Sequence, residues 1–238
     1  MDFKIEWFDQ VTSTNAIMRE KIVQGLELSS GYIIAAHEQT AGRGRQNRKW
    51  LTPPKTNLCF SLFLKTDAPL IDVPSLTMAV ALAINEFLHQ KQIPAQPKWP
   101  NDVLVNGKKI CGILSERVDG GIIIGVGLNI NMSLSQAEQI DRPATSIQIE
   151  TGKPADIFQT LETLFQPLEY WIGEWENGGF SNLQERWTQA AGPIGKPLEV
   201  HDGDLKKKGI LAGFGKHGEL LFQTLDGVET IWSGEILG

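Results

Sequence analysis

Apolar and polar side chains alternate over residues 3–8, with Phe3, Ile5 and Trp7 against Lys4 and Glu6, which predicts a half-buried strand at the start of the chain. Ser13, Thr14 and Asn15 then offer helix-capping side chains before Ala16, Ile17 and Ile22, and Gly25 can stop that helix. Residues 32–36 read as a buried strand. Leu58, Phe60, Leu62 and Leu64 line one face of another. Leu76, Ala79, Val80, Ala83, Ile84, Phe87 and Leu88 recur at helical spacing, with Asp72 and Pro74 as start signals. After a Pro-Asn-Asp corner at 100–102, Asn106-Gly107 joins two strands in the manner of a type I′ hairpin. A turn at Asp119-Gly120-Gly121 leads into the apolar run 122–130. A second long amphipathic helix is expected through Ile157, Leu161, Leu164, Phe165, Leu168, Ile172 and Trp175, kinked by Pro167, and a short helix over 183–190 follows.

The pattern changes at Gly192-Pro193. Beyond it the segments are short and strand-like, at 198–201, 208–214, 219–225 and 229–232. Turns at Asp202-Gly203, His217-Gly218 and Asp226-Gly227 separate them. This spacing predicts a small β-barrel, marginal alone and leaning on the rest. The expected organisation is therefore a main domain over 1–191 and a small C-terminal domain over 192–238, an α+β chain.

Composition narrows the function classes. Of 238 residues, 41% are hydrophobic and 21% charged, an ordinary globular balance that rules out a disordered or collagenous chain. The longest stretch of apolar residues and glycine covers only 120–128, too short for a membrane-spanning helix of about 20 residues. The first residues lack the basic-then-apolar pattern of a signal peptide. Cys59 and Cys111 fit no CxxC or disulfide framework, which points to a reducing cytoplasm. A net charge of −6 argues against a general binder of polyanions.

Several familiar sites are absent: GxxxxGK[ST], GxSxG and a His pair at zinc spacing. Gly42-Arg43-Gly44 opens like a dinucleotide fingerprint, but Asn47 stands where the third glycine belongs and no helix pattern follows. What remains is a long aperiodic loop over 39–56 containing Arg43, Arg45, Arg48 and Lys49 beside Trp50. Loops of this length are uncommon in compact domains unless functional or disordered. Guanidinium forks match phosphate or carboxylate oxygens, and Trp50 can stack on a planar base; the alternative is a solvated basic loop. In Lys98-Trp99-Pro100-Asn101-Asp102, Asp102 can orient a magnesium–phosphate complex, or the corner is simply a turn. Lys109 lies near the hairpin turn, where a lysine is ordinarily solvated. Glycines in Gly125-Val126-Gly127-Leu128-Asn129 mark a close ligand approach or a β-bulge. Ser13-Thr14-Asn15, taken alone, reads better as a helix cap.

Taken together and in this order, these segments resemble the biotin–protein ligase family, which has a Ser-Thr-Asn near the start of its catalytic domain, a GRGRxxRxW loop, a KWPND motif, a lysine shortly before a glycine on the next strand, and a GxGxN segment. The resemblance covers residues 7–131 and extends to the small C-terminal domain. Gln46-Asn47 departs from the family, where Arg-Gly is common, which bears on loop flexibility. With only twelve residues before Ser13, the chain resembles the monofunctional ligases, without the helix-turn-helix domain of two-function relatives.

The resemblance implies a mixed β-sheet with packed helices, of the class II synthetase-like type, plus an SH3-like C-terminal barrel. It implies a two-step reaction in which biotin and ATP, with Mg2+, form biotinyl-adenylate, and a lysine of a biotin carboxyl carrier protein takes the biotinyl group. No tightly bound prosthetic group, DNA or membrane is expected, and monomer and homodimer both remain open. By the same resemblance, Ser13, Thr14, Asn15, Gln39, Gly42, Arg43, Gly44, Arg45, Lys109, Gly112 and Gly127 hold biotin. Arg43, Arg45, Arg48, Trp50, Asn101, Lys109 and Asn129 meet ATP or the adenylate. Lys109, Arg45, Arg48 and Asp102 carry the chemistry, with Lys109 bridging carboxylate and α-phosphate and Asp102 near magnesium or the incoming amine. Rival readings are a lipoate or octanoate ligase or transferase of the same architecture, and a nucleic-acid-binding module using 43–50 and the terminal domain.

Overall fold

The computed structural model describes all residues except 52, 193, 203, 204 and 238. Pro193 of the expected boundary and Gly203 of one expected turn therefore lie outside the described residues. Strand β1 (Lys4–Val11), helix α1 (Thr14–Val23) and strand β2 (Tyr32–Gln39) form a unit in which the two strands pair in parallel, Trp7 opposite Ala35. Antiparallel pairing then adds β3 (Asn57–Lys65) to β2, and a crossing through α2 (Val73–Gln90) reaches the far edge. There β4 (Ala95–Lys98), β5 (Asp102–Val105), β6 (Lys108–Val118) and β7 (Gly121–Asn129) meander back to β3. The seven-stranded mixed sheet runs β1-β2-β3-β7-β6-β5-β4.

Both faces of the sheet are covered, which explains why β3 is buried at every residue but Lys65 and reads as continuous rather than alternating. Leu58, Phe60, Leu62 and Leu64 share one face and join the main core, as the sequence period requires, while Phe63 packs with Met18 of α1 and Ile34 on the opposite face. Asn106 and Gly107 both take positive φ, 49° and 76°, which is the type I′ geometry that the dipeptide signals. Short helices α3 (Leu134–Ala137) and α4 (Ile147–Thr151) follow the sheet. The long amphipathic segment is not one kinked helix. It breaks at Leu164 into α5 (Ile157–Thr163) and α6 (Phe165–Gly178), placing Pro167 in the first turn of α6, where a missing N–H costs nothing. Helix α7 (Phe180–Ala191) is longer than the expected 183–190 and closes the layer over α2. Among the described residues no helix is long and apolar enough to cross a membrane.

The C-terminal strands are β8 (Pro197–Asp202), β9 (Leu205–Phe214), β10 (Leu220–Thr224), β11 (Gly227–Ile231) and β12 (Glu235–Leu237). They form an antiparallel sheet in the order β11-β10-β9-β8-β12, and among the described residues its two edge strands do not pair. The expected barrel is thus an open, curved sheet, with a register shift at Leu221/Phe222 supplying part of the bend. Its apolar face belongs to the main core: Val200, Leu211, Phe214, Leu220, Phe222 and Ile231 cluster with Phe180 and Trp187. Trp99 Nε1 donates to the Gly218 carbonyl at 2.9 Å, and Gln184 Nε2 to that of Phe214 at 2.7 Å. Each buried large side chain contributes about 1.5–3 kcal/mol. A chain truncated after residue 191 should consequently melt far below the full-length protein, which thermal denaturation followed by circular dichroism will show; a truncation that keeps the parent melting point contradicts this packing account.

Candidate active site

Strand alternation prepares one face of the sheet for a ligand. Along β7, Ile122, Ile124, Val126 and Leu128 point into the main core, so Gly125, Gly127 and Asn129 point the other way. Ile123 on that second face is covered by α1; beyond it the glycines leave an open cleft of about 1410 Å³. Pairing of β7 with β3 and β6 runs without a register shift, so these glycines do not form a bulge. They make room instead. A Cβ on Gly127 would fall 2.3 Å from Trp50 Cε2, and one on Gly125 would fall 2.4 Å from Asn15 Oδ1.

A bulge does occur between β5 and β6. Val103 pairs with Cys111 and Leu104 with Lys109, leaving Ile110 as the additional residue. That insertion turns Lys109 to the same face as Gly112, although an odd spacing of three would place them on opposite faces of a regular strand. Lys109 Nζ then lies 2.6 Å from Asp102 Oδ1 and 5.5 Å from the centre of the Trp50 ring. Its backbone is fixed from both sides, Lys109 N donating to the Pro143 carbonyl at 2.8 Å and Thr145 N to the Lys109 carbonyl at 2.9 Å.

The arginine loop folds back on itself. Gly44 N donates to the Arg48 carbonyl at 2.7 Å and Trp50 N to that of Gly42 at 2.9 Å, around a 3-10 turn at Arg45–Asn47 with Gln46 in left-handed backbone at φ 55°. Arg45 reaches the Pro-Asn-Asp corner and the C-terminal sheet together, donating to Asn101 Oδ1 at 3.4 Å and the Gly234 carbonyl at 3.2 Å. Arg48 pairs with Glu235 at 2.9 Å, and Arg142 pairs with the same carboxylate. Burial alone would raise the Glu235 carboxyl, but these two guanidinium groups outweigh it and hold it below the usual range. Lys98 is lowered too, but here burial is the cause, and it outweighs the raising influence of Asp102 and Glu235.

At the other end of the cleft Ser13 precedes α1 without a side-chain cap bond, so the capping reading of Ser13-Thr14-Asn15 fails. Thr14 and Asn15 are buried instead, and their side chains serve a polar network. Thr14 donates to Gln39 Oε1 twice, from N at 2.8 Å and from Oγ1 at 3.1 Å. Gln39 therefore keeps its N–H groups for other partners.

Ser13, Thr14, Asn15, Gln39, Arg43, Gly44, Arg45, Arg48, Trp50, Asn101, Asp102, Lys109, Gly112, Gly127 and Asn129 all line this cleft. Gly42 is not among the lining residues; it is buried against Trp50, where a Cβ would fall 2.8 Å from the Trp50 carbonyl oxygen, so a glycine lets the loop backbone close there. Trp50 lies on the Gly112–Gly127 strand pair, and its buried indole N–H finds no acceptor among the described residues. The Asn129 amide braces the backbone, donating to the Thr145 carbonyl at 2.9 Å and that of Lys109 at 3.4 Å. Among the described residues no group of three or more His, Cys, Asp or Glu side chains converges as a metal site. Reading the sequence missed Lys98, Arg142, Glu235, Ser61 and Glu116 as cleft neighbours. Lys98 stood inside a quoted motif; nothing in the local pattern marks the others.

The sequence profile of the biotin/lipoate A/B protein ligase family matches residues 7–133. The chain is 30% identical over 236 residues to a bifunctional ligase/repressor of Bacillus spizizenii, covering 96% of this chain and 72% of that protein. It is 31% identical over 234 residues to a biotin–[acetyl-CoA-carboxylase] ligase of Paracoccus denitrificans, covering 94% of this chain and 96% of that one. In three dimensions it is similar to the biotin protein ligase from Aquifex aeolicus in complex with biotin and ATP, with a TM-score of 0.81, 29% identity, and coverage of 98% of this chain and 97% of the other.

Proposed function

This chain belongs to the biotin/lipoate A/B protein ligase family, and we propose that it activates biotin with ATP and transfers it to a lysine of a biotin carboxyl carrier protein. The observation that carries the reading is Lys109, turned by its bulge into a cleft with polar side chains at one end and guanidinium groups at the other.

Adenylation brings together two anions. The biotin carboxylate attacks the α-phosphorus of ATP, the bond to the bridging oxygen breaks, and pyrophosphate leaves. Reaction needs the carboxylate oxygen within about 3–3.5 Å of phosphorus, which mutual repulsion opposes unless cations lie between. Lys109 supplies one such cation, while Arg43, Arg45 and Arg48 cover the phosphate and the adenylate. Charge developing at phosphorus meets fixed positive groups, and no covalent enzyme intermediate is needed. In the second step a neutral lysine amine of the carrier attacks the acyl carbon, and AMP leaves. Asp102, partnered with Lys109, is the carboxylate nearest to that event, and Asn101 holds the corner by donating to the Ile113 carbonyl at 2.7 Å. Magnesium is part of the ATP substrate and enters with it.

Thr14, Asn15 and Gln39 suit a polar bicyclic head better than an alkyl chain, which separates biotin from lipoate or octanoate. Ser13, Gly44, Gly112 and Gly127 complete the walls of that subsite, with Gly42 supporting the loop from beneath. Residues 1–191 form the catalytic domain and 192–238 the C-terminal domain, whose Gly234 carbonyl and Glu235 meet the loop. The buried thiols Cys59 and Cys111 suit a reducing cytoplasm. Incubation with biotin, MgATP and a carrier domain should give carrier biotinylated at one lysine, with one AMP per biotin attached; a carrier left unmodified by mass spectrometry would refute the reading.

Trp50 reports on the nucleotide half of the site. Its ring covers Gly112 and Gly127, and the loop that carries it is the one assigned to the adenylate. Trp50→Ala should weaken ATP by about 1–3 kcal/mol, the value of an aromatic stack on a base, and change biotin affinity little. Calorimetry with each ligand separately decides it, and equal losses for both would place the ring on biotin instead.

A further inference from the structure

The polar end of the cleft contains an arrangement that the roles above leave unused. Asn15 lies over Gly125, whose register partner on β3 is Ser61. Ser61 Oγ is 2.5 Å from Asn15 Oδ1 and 2.7 Å from Thr14 Oγ1, and Asn15 Nδ2 donates to Glu116 Oε2 at 2.6 Å. The other Glu116 oxygen faces Arg19 at 3.3 Å, one helical turn beyond Asn15 on α1. Asn15 lines the cleft at 8% exposure.

An ionised carboxylate only accepts hydrogen bonds, whereas a carboxamide has a donating and an accepting end. Turning the Asn15 amide over would set its carbonyl oxygen against Glu116, acceptor to acceptor. Glu116 alone therefore decides which way Asn15 faces, and the Ser61 hydroxyl agrees by donating to the oxygen. With one N–H and one lone pair so engaged, Asn15 has one donor and one acceptor left for the cleft. A cyclic urea carries both matching groups, a C=O and an N–H; a dithiolane or alkyl chain carries neither. We infer that Glu116 is a positioning residue for substrate selection: through Asn15 it fixes the donor–acceptor order that admits a cyclic urea. Arg19 keeps the Glu116 carboxylate aimed at α1. The inference rests on biotin being the substrate.

The test is ATP–pyrophosphate exchange with the full-length enzyme and three variants, following KM for biotin, KM for ATP and kcat. Glu116→Ala should raise KM for biotin about tenfold, with KM for ATP and kcat within about twofold of the parent. Glu116→Gln, whose amide oxygen can still accept from Asn15, should recover most of the loss. Glu116→Lys can only donate; it forces the Asn15 amide over and should give the largest rise of the three. Desthiobiotin, which keeps the cyclic urea, should follow the same order. Unchanged KM for biotin in the alanine and lysine variants would overturn the inference, as would equal rises for biotin and ATP together with lowered melting temperatures, which mark a purely structural role. A parent enzyme without biotin-dependent exchange would instead remove the proposed function, and this inference with it.

Discussion

Replacing Lys109 with alanine should leave a folded protein that forms adenylate about a hundredfold more slowly, or worse. The side chain is held by Asp102 and by the Trp50 ring, not by the core, and its backbone bonds to Pro143 and Thr145 survive the substitution. Asp102 is left without its ammonium partner, but it is 20% exposed and water can reach it. The cost therefore falls on chemistry rather than on folding. A cation placed between two reacting anions is worth most when the new bond is forming, so kcat should fall more than KM rises. An alanine variant with parental exchange activity would take Lys109 out of the mechanism.

Arg45→Gly should release the intermediate. Arg45 ties the loop to two places at once, the Asn101 side chain and the Gly234 carbonyl, so its removal loosens the loop from both the main sheet and the C-terminal sheet. Glycine also widens the conformations available to the open loop, and closing it then costs more entropy. A hydrogen bond to a charged group is worth about 1.5–3 kcal/mol, so biotinyl-adenylate should escape roughly 10- to 150-fold faster. The escaped anhydride acylates exposed lysines without docking. Biotin, MgATP and serum albumin incubated with each enzyme should give many more biotinylated albumin lysines for the variant. No increase, with adenylate synthesis intact, would show that Arg45 does not retain the intermediate.

What could be read from the sequence was whatever depends on local period and turn chemistry. The α2 helix announced itself through seven apolar positions at helical spacing, and the β5–β6 hairpin through Asn106-Gly107. The site motifs were legible as motifs, and all but Gly42 of the residues they nominated meet in one cleft. The misreadings share a cause: each turned on tertiary contacts. Pro167 marks a helix start because a second helix begins before it, which periodicity through Leu164 conceals. Asp72 precedes α2 but makes no cap bond; its carboxylate meets His217 of the C-terminal sheet at 2.5 Å. Strand β12 is three residues long and exists through its pairing with β8, so nothing in Glu235-Ile236-Leu237 announces it. The bulge at Ile110 shows only when β6 is laid beside β5. Glu116 joins the site through Asn15, 101 residues earlier, a pairing no local pattern carries.

Exchange of labelled pyrophosphate into ATP, driven in turn by biotin, lipoate and octanoate, reads the choice of acid at activation, before any carrier is involved. Exchange with biotin and little with the other two acids is the result that the polar subsite of Thr14, Asn15 and Gln39 requires. Exchange driven by lipoate or octanoate in preference to biotin would contradict it.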